Sequence, residues 1–98
     1  MKKATPPRVS TLATGIKLIS KEMQAKAGDL LPEHSANQES IVFVHEGECS
    51  IAINGDHEHL KRGDAFIVPA NVKHQISVIA DFKGIHFMPL EIKFEFFN

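Results

Sequence analysis

The sequence predicts an all-β protein, an antiparallel sandwich or barrel of one domain. Short segments rich in Val, Ile and Phe favour strands, and turn signals at Glu46-Gly47, Asn54-Gly55 and Arg62-Gly63-Asp64 separate them. The strongest turn signal is Asn54-Gly55, because both residues of a tight hairpin turn must tolerate positive φ. No helix-length amphipathic stretch interrupts this series, which is typical of antiparallel sandwiches and jelly rolls. A chain of 98 residues buries only about 60–65% of its unfolded surface, so we expect association to supplement its core.

Residues 1–12 contain the only Pro-Pro pair and few bulky apolar side chains. This composition predicts a mobile or loosely docked N-terminal arm. The barrel domain is then expected over residues 13–98.

Residues 20–27 are ambiguous between helix and strand. They are strong helix formers followed by Gly28 at a helix C-cap position, which favours a short helix. The same residues alternate, however, with Met23, Ala25 and Ala27 on one side of a strand.

The remaining strands are predicted from short apolar runs at residues 41–45, 49–53, 65–69, 75–80 and 84–89. The tail over residues 91–98 alternates Ile92, Phe94 and Phe96 with charged residues. Such a tail either closes the sheet of its own barrel or pairs with a second copy of the chain. We expect a homodimer that buries it.

Composition excludes several classes of partner. Eleven Lys plus Arg against twelve Asp plus Glu give a net charge of −1, without the basic stripe that neutralises phosphates, so no nucleic-acid partner is expected. No apolar run approaches membrane-spanning length, so no membrane partner is expected either. The basic start lacks an apolar stretch behind it, and Cys49 is the only cysteine. Both observations predict a cytoplasmic location.

Two segments carry the spacing of a known family. Residues 27–47, AGDLLPEHSANQESIVFVHEG, resemble the first cupin motif, in which Gly and five residues precede His-x-His, a Glu and a further Gly. Residues 62–78, RGDAFIVPANVKHQISV, resemble the second, with Gly, five residues, Pro, and a later His. The resemblance implies a cupin jelly-roll β-barrel, also called a double-stranded β-helix. It also implies a strand directly before Gly28, which favours β structure there.

The resemblance also implies a metal site, but half of the ligand set is replaced. His34 matches the first histidine of motif one, and His74 matches the histidine of motif two. Ala36 stands where the other histidine is expected, and Ser40 where the glutamate is expected. The site is therefore predicted to be lost or incomplete.

Alternation along the strands predicts what lines the barrel mouth. Side chains two apart share a face of a strand, so the predicted pocket is mostly aliphatic with two imidazoles and a serine. Such a lining suits a small organic ligand. The predicted pocket residues are His34, Ser40, Val42, Cys49, His74 and Ile76.

Two imidazoles alone hold a divalent transition metal such as Zn, Fe, Ni or Mn weakly. A third ligand could come from Glu39 by way of a local bulge, from His86 if it faces inward, or from Cys49 as a thiolate. His57-Glu58-His59 also spells His-x-His, but its position after Asn54-Gly55 indicates a solvated hairpin.

Three functional interpretations remain open. The first is a protein that binds a small organic molecule in the barrel mouth, with its metal site lost or incomplete. The second is a metal-dependent cupin enzyme, of isomerase, dioxygenase or lyase type, acting on a small acid, sugar or phenolic compound. The third is a sensor barrel for a DNA-binding partner, which must be a separate chain because no helix-turn-helix is present. The fold does not choose among them.

Overall fold

A computed structural model describes residues 3–97, which form eight strands and no helix. The first two residues of the predicted arm, and Asn98 of the predicted tail, lie outside the described residues. The strands are β1 (Arg8–Thr14), β2 (Leu18–Ala25), β3 (His34–Ala36), β4 (Ser40–Ile53), β5 (Asp56–Lys61), β6 (Ala65–Val68), β7 (His74–Pro89) and β8 (Phe94–Phe96).

All strand pairs are antiparallel, and the sheet curls into a half-barrel. One path through the sheet runs β1-β2-β7-β3-β8, while β4 pairs with β5, β6 and β7. The two longest strands, β4 and β7, therefore form the centre of the fold. The predicted all-β class is confirmed.

Each long strand joins two segments that the sequence predicts as separate strands. The pairing of β4 with β7 continues from Ile41 to Ile53, with register shifts between Val44 and Cys49. Gly47 allows this, because its φ is 84° and an added Cβ would lie 2.0 Å from the backbone oxygen of Asp81. The predicted turn at Glu46-Gly47 is thus a β-bulge, in which a glycine absorbs the irregularity without ending the strand.

The predicted hairpin turn and the predicted strand before Gly28 are both present. Asn54 and Gly55 join β4 to β5 with φ values of 53° and 78°, as a two-residue hairpin turn requires. The segment with high helix propensity forms β2, which pairs with β1 on one side and β7 on the other. Strand pairing here overrides local propensity.

The two ends of the chain each contribute a strand at one end of the path β1-β2-β7-β3-β8. Residues 8–12 of the predicted arm belong to β1, an edge strand whose seven residues are all exposed. In the tail, β8 pairs with β3 of its own chain, so one of the two predicted alternatives is present. No helix among residues 3–97 has the length and apolar character needed to span a membrane.

The core lies between the inner faces of β4, β5 and β7. We call this aliphatic cluster the sealed core, and Cys49 and Ile51 in it are 0% exposed. Its members are Leu31, Val44, Cys49, Ile51, Ile53, Leu60, Ile76, Val78 and Phe82.

Candidate functional site

A cavity of about 320 Å³ opens beside the sealed core, bounded by the N-terminal segment, β2, β3, β7 and β8. We call it the mouth pocket. Its volume lies at the lower end of the range for small-molecule sites. Its wall is mostly apolar, with one lysine and two histidines, and is formed by Pro6, Pro7, Val9, Lys21, Met23, Leu31, Pro32, His34, Ile76, His86, Met88, Phe94 and Phe96.

The two histidines matched to the motifs lie side by side. His34 and His74 are register partners between β3 and β7, and their ring centroids are 4.4 Å apart. Each Nδ1 contacts a backbone carbonyl, that of Pro32 at 3.1 Å and that of Val72 at 3.0 Å. Because a carbonyl only accepts, each Nδ1 carries the hydrogen and each Nε2 of the neutral ring keeps its lone pair.

Burial distinguishes the two rings. His34 lines the pocket, whereas His74 is 5% exposed and packs against His34 without lining the cavity. Burial lowers the pKa of His74, and the nearby His34 lowers it further, while the hydrogen bond to Val72 acts in the opposite direction. Burial therefore favours the neutral form of His74.

His86 is the third imidazole of this region, and it faces the interior. It is paired with Val42 on β4, and its Nε2 lies 2.7 Å from the Ser40 hydroxyl oxygen. Burial lowers the pKa of His86 to about 4, with smaller contributions from His34, His74 and Lys21. We call His34, His74 and His86 the imidazole cluster. Ser40, which replaces the motif glutamate, thus contacts a histidine from a strand late in the chain.

The other predicted pocket residues divide between the pocket and its surroundings. Ile76 lines the mouth pocket and also belongs to the sealed core. Ser40 and Val42 are buried and lie next to His86, but they do not line the cavity. Cys49 lies in the sealed core away from the cavity, because its inward position on β4 falls beyond the bulge at Gly47. Burial raises the pKa of its thiol to about 11.

The remaining candidates lie outside the pocket. Glu39 is exposed just before β4 begins, so it does not reach the imidazole cluster. His45 is exposed on β4, as alternation predicts. His57 and His59 are exposed on β5, and the His59 Nε2 lies 2.6 Å from a carboxylate oxygen of Glu48. This arrangement agrees with a solvated hairpin.

The donor set does not fit a bound transition metal as arranged. Among residues 3–97, no group of three or more His, Cys, Asp or Glu side chains is positioned to hold one. The His86 Nε2 contacts Ser40, and the small Ala36 side chain is buried where the motif provides a histidine. The pocket wall also contains no carboxylate. We therefore derive no chemical step through a metal.

The sequence reasoning missed three kinds of wall residue. Lys21 has the same parity along β2 as Met23, so the alternation already noted for that segment could have revealed it. Phe94 and Phe96 were assigned to a dimer edge, yet their ring centroids lie 5.6 and 5.2 Å from that of His34. The contribution of Pro6 and Pro7 depends on how the N-terminal segment folds back, which no local pattern encodes.

The chain was compared with known families and structures. Residues 21–84, about two thirds of the chain, match the model of the cupin domain family. No curated protein sequence matches it significantly. A cupin superfamily protein from Desulfitobacterium hafniense shares the fold with a TM-score of 0.79 and 18% identity, over 93% of this chain and 84% of that one.

Salicylate 1,2-dioxygenase from Pseudoaminobacter salicylatoxidans shares the fold as well. Its structure with gentisate adducts matches with a TM-score of 0.82 and 19% identity, over 97% of this chain and 31% of that one. A second structure of that enzyme gives a TM-score of 0.75 and 20% identity, over 82% and 25%. The chain thus spans about a third or less of the dioxygenase it matches. The likenesses confirm the predicted jelly-roll β-barrel fold.

Proposed function

Because the chain belongs to the cupin domain family, and small-molecule sites are common in the mouths of β-barrels, we propose that it binds a small organic molecule in the mouth pocket. The ligand would pack its apolar body against the aromatic and aliphatic wall. The imidazole of His34, with His86 beside it, would fix its orientation by hydrogen bonds.

The observation that carries this proposal is the exposed aromatic surface inside a formed cavity. Phe94 and Phe96 are 39% and 60% exposed, although both line a concave pocket of about 320 Å³. Apolar surface left in contact with water costs about 25 cal/mol per Å², which a ligand lying on these rings recovers. The few polar groups among many apolar ones match the usual composition of a small-molecule site.

The hydrogen bonding of the imidazoles supports the same proposal. The pKa of His86 is lowered to about 4 and that of His74 is lowered as well, chiefly by burial, so both rings are uncharged near neutral pH. The Nδ1 of His34 bonds to the Pro32 carbonyl, and the Nε2 of His34 has no protein partner among residues 3–97. A ligand hydroxyl or amide that donates to this nitrogen would complete its bonding.

The comparison structures are compatible with this proposal. One structure of salicylate 1,2-dioxygenase contains gentisate adducts, and this chain matches 31% of that enzyme. Identity is only 19%, so the ligand of this chain rests on its own pocket residues.

A metal-dependent enzyme is the second candidate, and one observation favours it. The Nδ1 of His34 and that of His74 each bond to a backbone carbonyl, the arrangement that commonly orients ligating histidines. Zn, Fe, Ni or Mn would be the metal and a small acid, sugar or phenolic compound the substrate. Metal analysis of protein purified without chelator tests this candidate. Transition metal near one equivalent per chain that survives dialysis would favour it over simple binding.

We also retain the homodimer as a proposal, since Phe94, Phe96 and Phe97 remain exposed on or beside the edge strand β8. The double variant Phe94→Lys with Phe96→Lys is expected to be a soluble monomer by light scattering. Unmodified protein that is monomeric at micromolar concentration would contradict this. The cytoplasmic location and the lack of nucleic-acid and membrane partners likewise stay predictions from the sequence.

Titration calorimetry with benzyl alcohol, benzamide and benzoate tests the binding proposal. At least one of these probes is expected to bind saturably, and Phe96→Ala is expected to weaken it about tenfold because the ring supplies ligand contact. His45→Ala is the matched control, since His45 is exposed outside the pocket. The proposal fails if no probe binds, or if Phe96→Ala and His45→Ala bind alike.

A further inference from the structure

Lys21 is the one fully cationic side chain in the wall of the mouth pocket. It lies on β2, where its register partners are Thr11 on β1 and His86 on β7. Paired residues of antiparallel strands share a face of the sheet, and His86 faces the interior. The Lys21 side chain therefore belongs to the same inner face as the imidazole cluster.

Lys21 has no carboxylate partner among residues 3–97. The salt bridges in this part of the chain join His59 to Glu48 and Lys83 to Glu46, and both lie outside the pocket wall. The neighbouring Glu22 alternates to the opposite face of β2, where it accepts a hydrogen bond from Gln24. A charge facing a partly enclosed apolar cavity without a counter-ion is costly, and an anion from outside would offset that cost.

No residue of the pocket wall supplies negative charge, because the wall contains neither Asp nor Glu. The Lys21 ammonium is close enough to lower the pKa of His86, so its positive charge acts on the imidazole cluster. The same field repels a metal cation, which agrees with the poor fit of the donor set to a metal. The cation and the aromatic rings together form a wall that is complementary to an anion with an apolar body.

We infer that the mouth pocket selects small organic acids, and that Lys21 binds their carboxylate while Phe94 and Phe96 contact the apolar body. This inference rests on the proposed binding function and names its ligand class. Hydrogen bonds from an ammonium to a carboxylate are about twice as strong as neutral ones. The selectivity therefore lies in the charge of the ligand rather than in its size.

Benzoate and benzamide provide the test, since they have nearly the same shape and differ in charge. Calorimetry on the unmodified protein is expected to show benzoate binding at least about tenfold more tightly than benzamide, the range for a hydrogen bond to a charged group. Lys21→Met keeps the length of the stem and removes the charge. It is expected to abolish this preference by weakening benzoate binding much more than benzamide binding.

Two further variants separate charge from packing. Lys21→Arg keeps the positive charge and is expected to retain the preference for benzoate. Lys17→Met removes an exposed lysine outside the pocket wall and is expected to leave both affinities unchanged. Circular dichroism on each variant establishes that it is folded.

The outcomes separate this inference from the function on which it rests. Equal affinity of the unmodified protein for benzoate and benzamide would overturn the inference and leave the binding function standing. Full benzoate affinity in folded Lys21→Met would do the same. If benzyl alcohol alone binds the unmodified protein, the inference fails and the binding function stands. If none of benzoate, benzamide and benzyl alcohol binds it, the binding function and the inference fail together. The comparison of benzoate with benzamide on the unmodified protein needs no variant, so it tests the inference even if Lys21→Met does not fold.

Discussion

The sealed core and the mouth pocket share the long strand β7, yet they differ in burial and in polarity. On one side of the bulge at Gly47, β4 and β7 bury aliphatic side chains such as Ile51 and Val78, which are 0% and 4% exposed. On the other side, β7 presents His86 to a cavity whose far wall includes the exposed Phe96. The sealed core thus concentrates packing, while the mouth pocket keeps apolar surface, a cation and the imidazoles of His34 and His86 in contact with solvent. We therefore expect stability to depend on the first region and ligand binding on the second.

Truncation in the sealed core should have the largest effect on stability. Ile51→Ala removes most of a fully buried side chain, and it is expected to lower the free energy of unfolding by about 2–5 kcal/mol. Urea denaturation measures this change. Ile67→Ala is the control, because Ile67 is 57% exposed and its loss should cost less than about 0.5 kcal/mol. Similar losses for the two variants would contradict a sealed core that lies on the inner face of the sheet.

Acid should destabilise the protein through the imidazole cluster. The pKa of His86 is about 4 when folded, below its ordinary value of 6.5, so the unfolded chain binds the proton first as pH falls. The contribution to stability is complete above pH 6.5 and is lost progressively as pH falls to about 4. The loss amounts to about 3 kcal/mol, since each pKa unit corresponds to about 1.4 kcal/mol. The lowered pKa of His74 acts in the same direction.

Chemical denaturation at several pH values compares the unmodified protein with His86→Gln. Glutamine can still hydrogen-bond the Ser40 hydroxyl but does not titrate. The variant is expected to lose much less stability between pH 6.5 and 4. Parallel pH profiles for the two proteins would mean that His86 is not held neutral by its surroundings.

Truncation in the mouth pocket should weaken ligand binding more than it lowers stability. Phe96→Ala is expected to lower the free energy of unfolding by less than about 1 kcal/mol, well below the 3–5 kcal/mol typical of a buried phenylalanine, because the side chain is 60% exposed. The same variant should weaken benzoate binding about tenfold. Thermal and urea denaturation beside calorimetry would measure both. A large loss of stability would assign the ring to the core rather than to the pocket.

The smallest effect is expected for reagents that attack thiols. Cys49 is 0% exposed, and burial raises the pKa of its thiol to about 11, so almost no thiolate is present near neutral pH. Iodoacetamide should leave the folded protein unmodified and react readily in urea. Mass spectrometry follows the reaction. Rapid modification of the folded protein would mean that this part of the core opens easily.

The sequence predicted the features of the fold that depend on local pattern. Alternation along residues 49–53 assigned Cys49, Ile51 and Ile53 to one face, and all three belong to the sealed core. The Asn54-Gly55 turn followed from the backbone freedom of two adjacent residues. At Gly47 the sequence predicted a turn, but the structure has a bulge. A glycine with positive φ occurs in both turns and bulges, and only the long-range pairing of β4 with β7 distinguishes them.

Much of the candidate site could not be predicted from local sequence pattern, because it depends on contacts between segments that are distant in the chain. The inward direction of His86 follows from the continuity of β7, because His86 has the same parity as the buried His74 and Ile76, whereas the sequence predicts two separate strands there. The position of Phe96 depends on the pairing of β8 with β3, some sixty residues earlier in the chain. Lys21 was overlooked because a lysine on a strand is expected to face solvent.

The central claim is that the histidines of the mouth pocket, and not those outside it, respond to a small organic acid. The chain has six histidines, of which His34, His74 and His86 form the imidazole cluster, while His45, His57 and His59 are exposed elsewhere. Their imidazole resonances can be followed separately by NMR during a titration with benzoate. We predict saturable shifts for His34 and His86, a smaller shift for the buried His74, and none for the other three. Unchanged cluster resonances, or equal shifts in all six, would contradict the account.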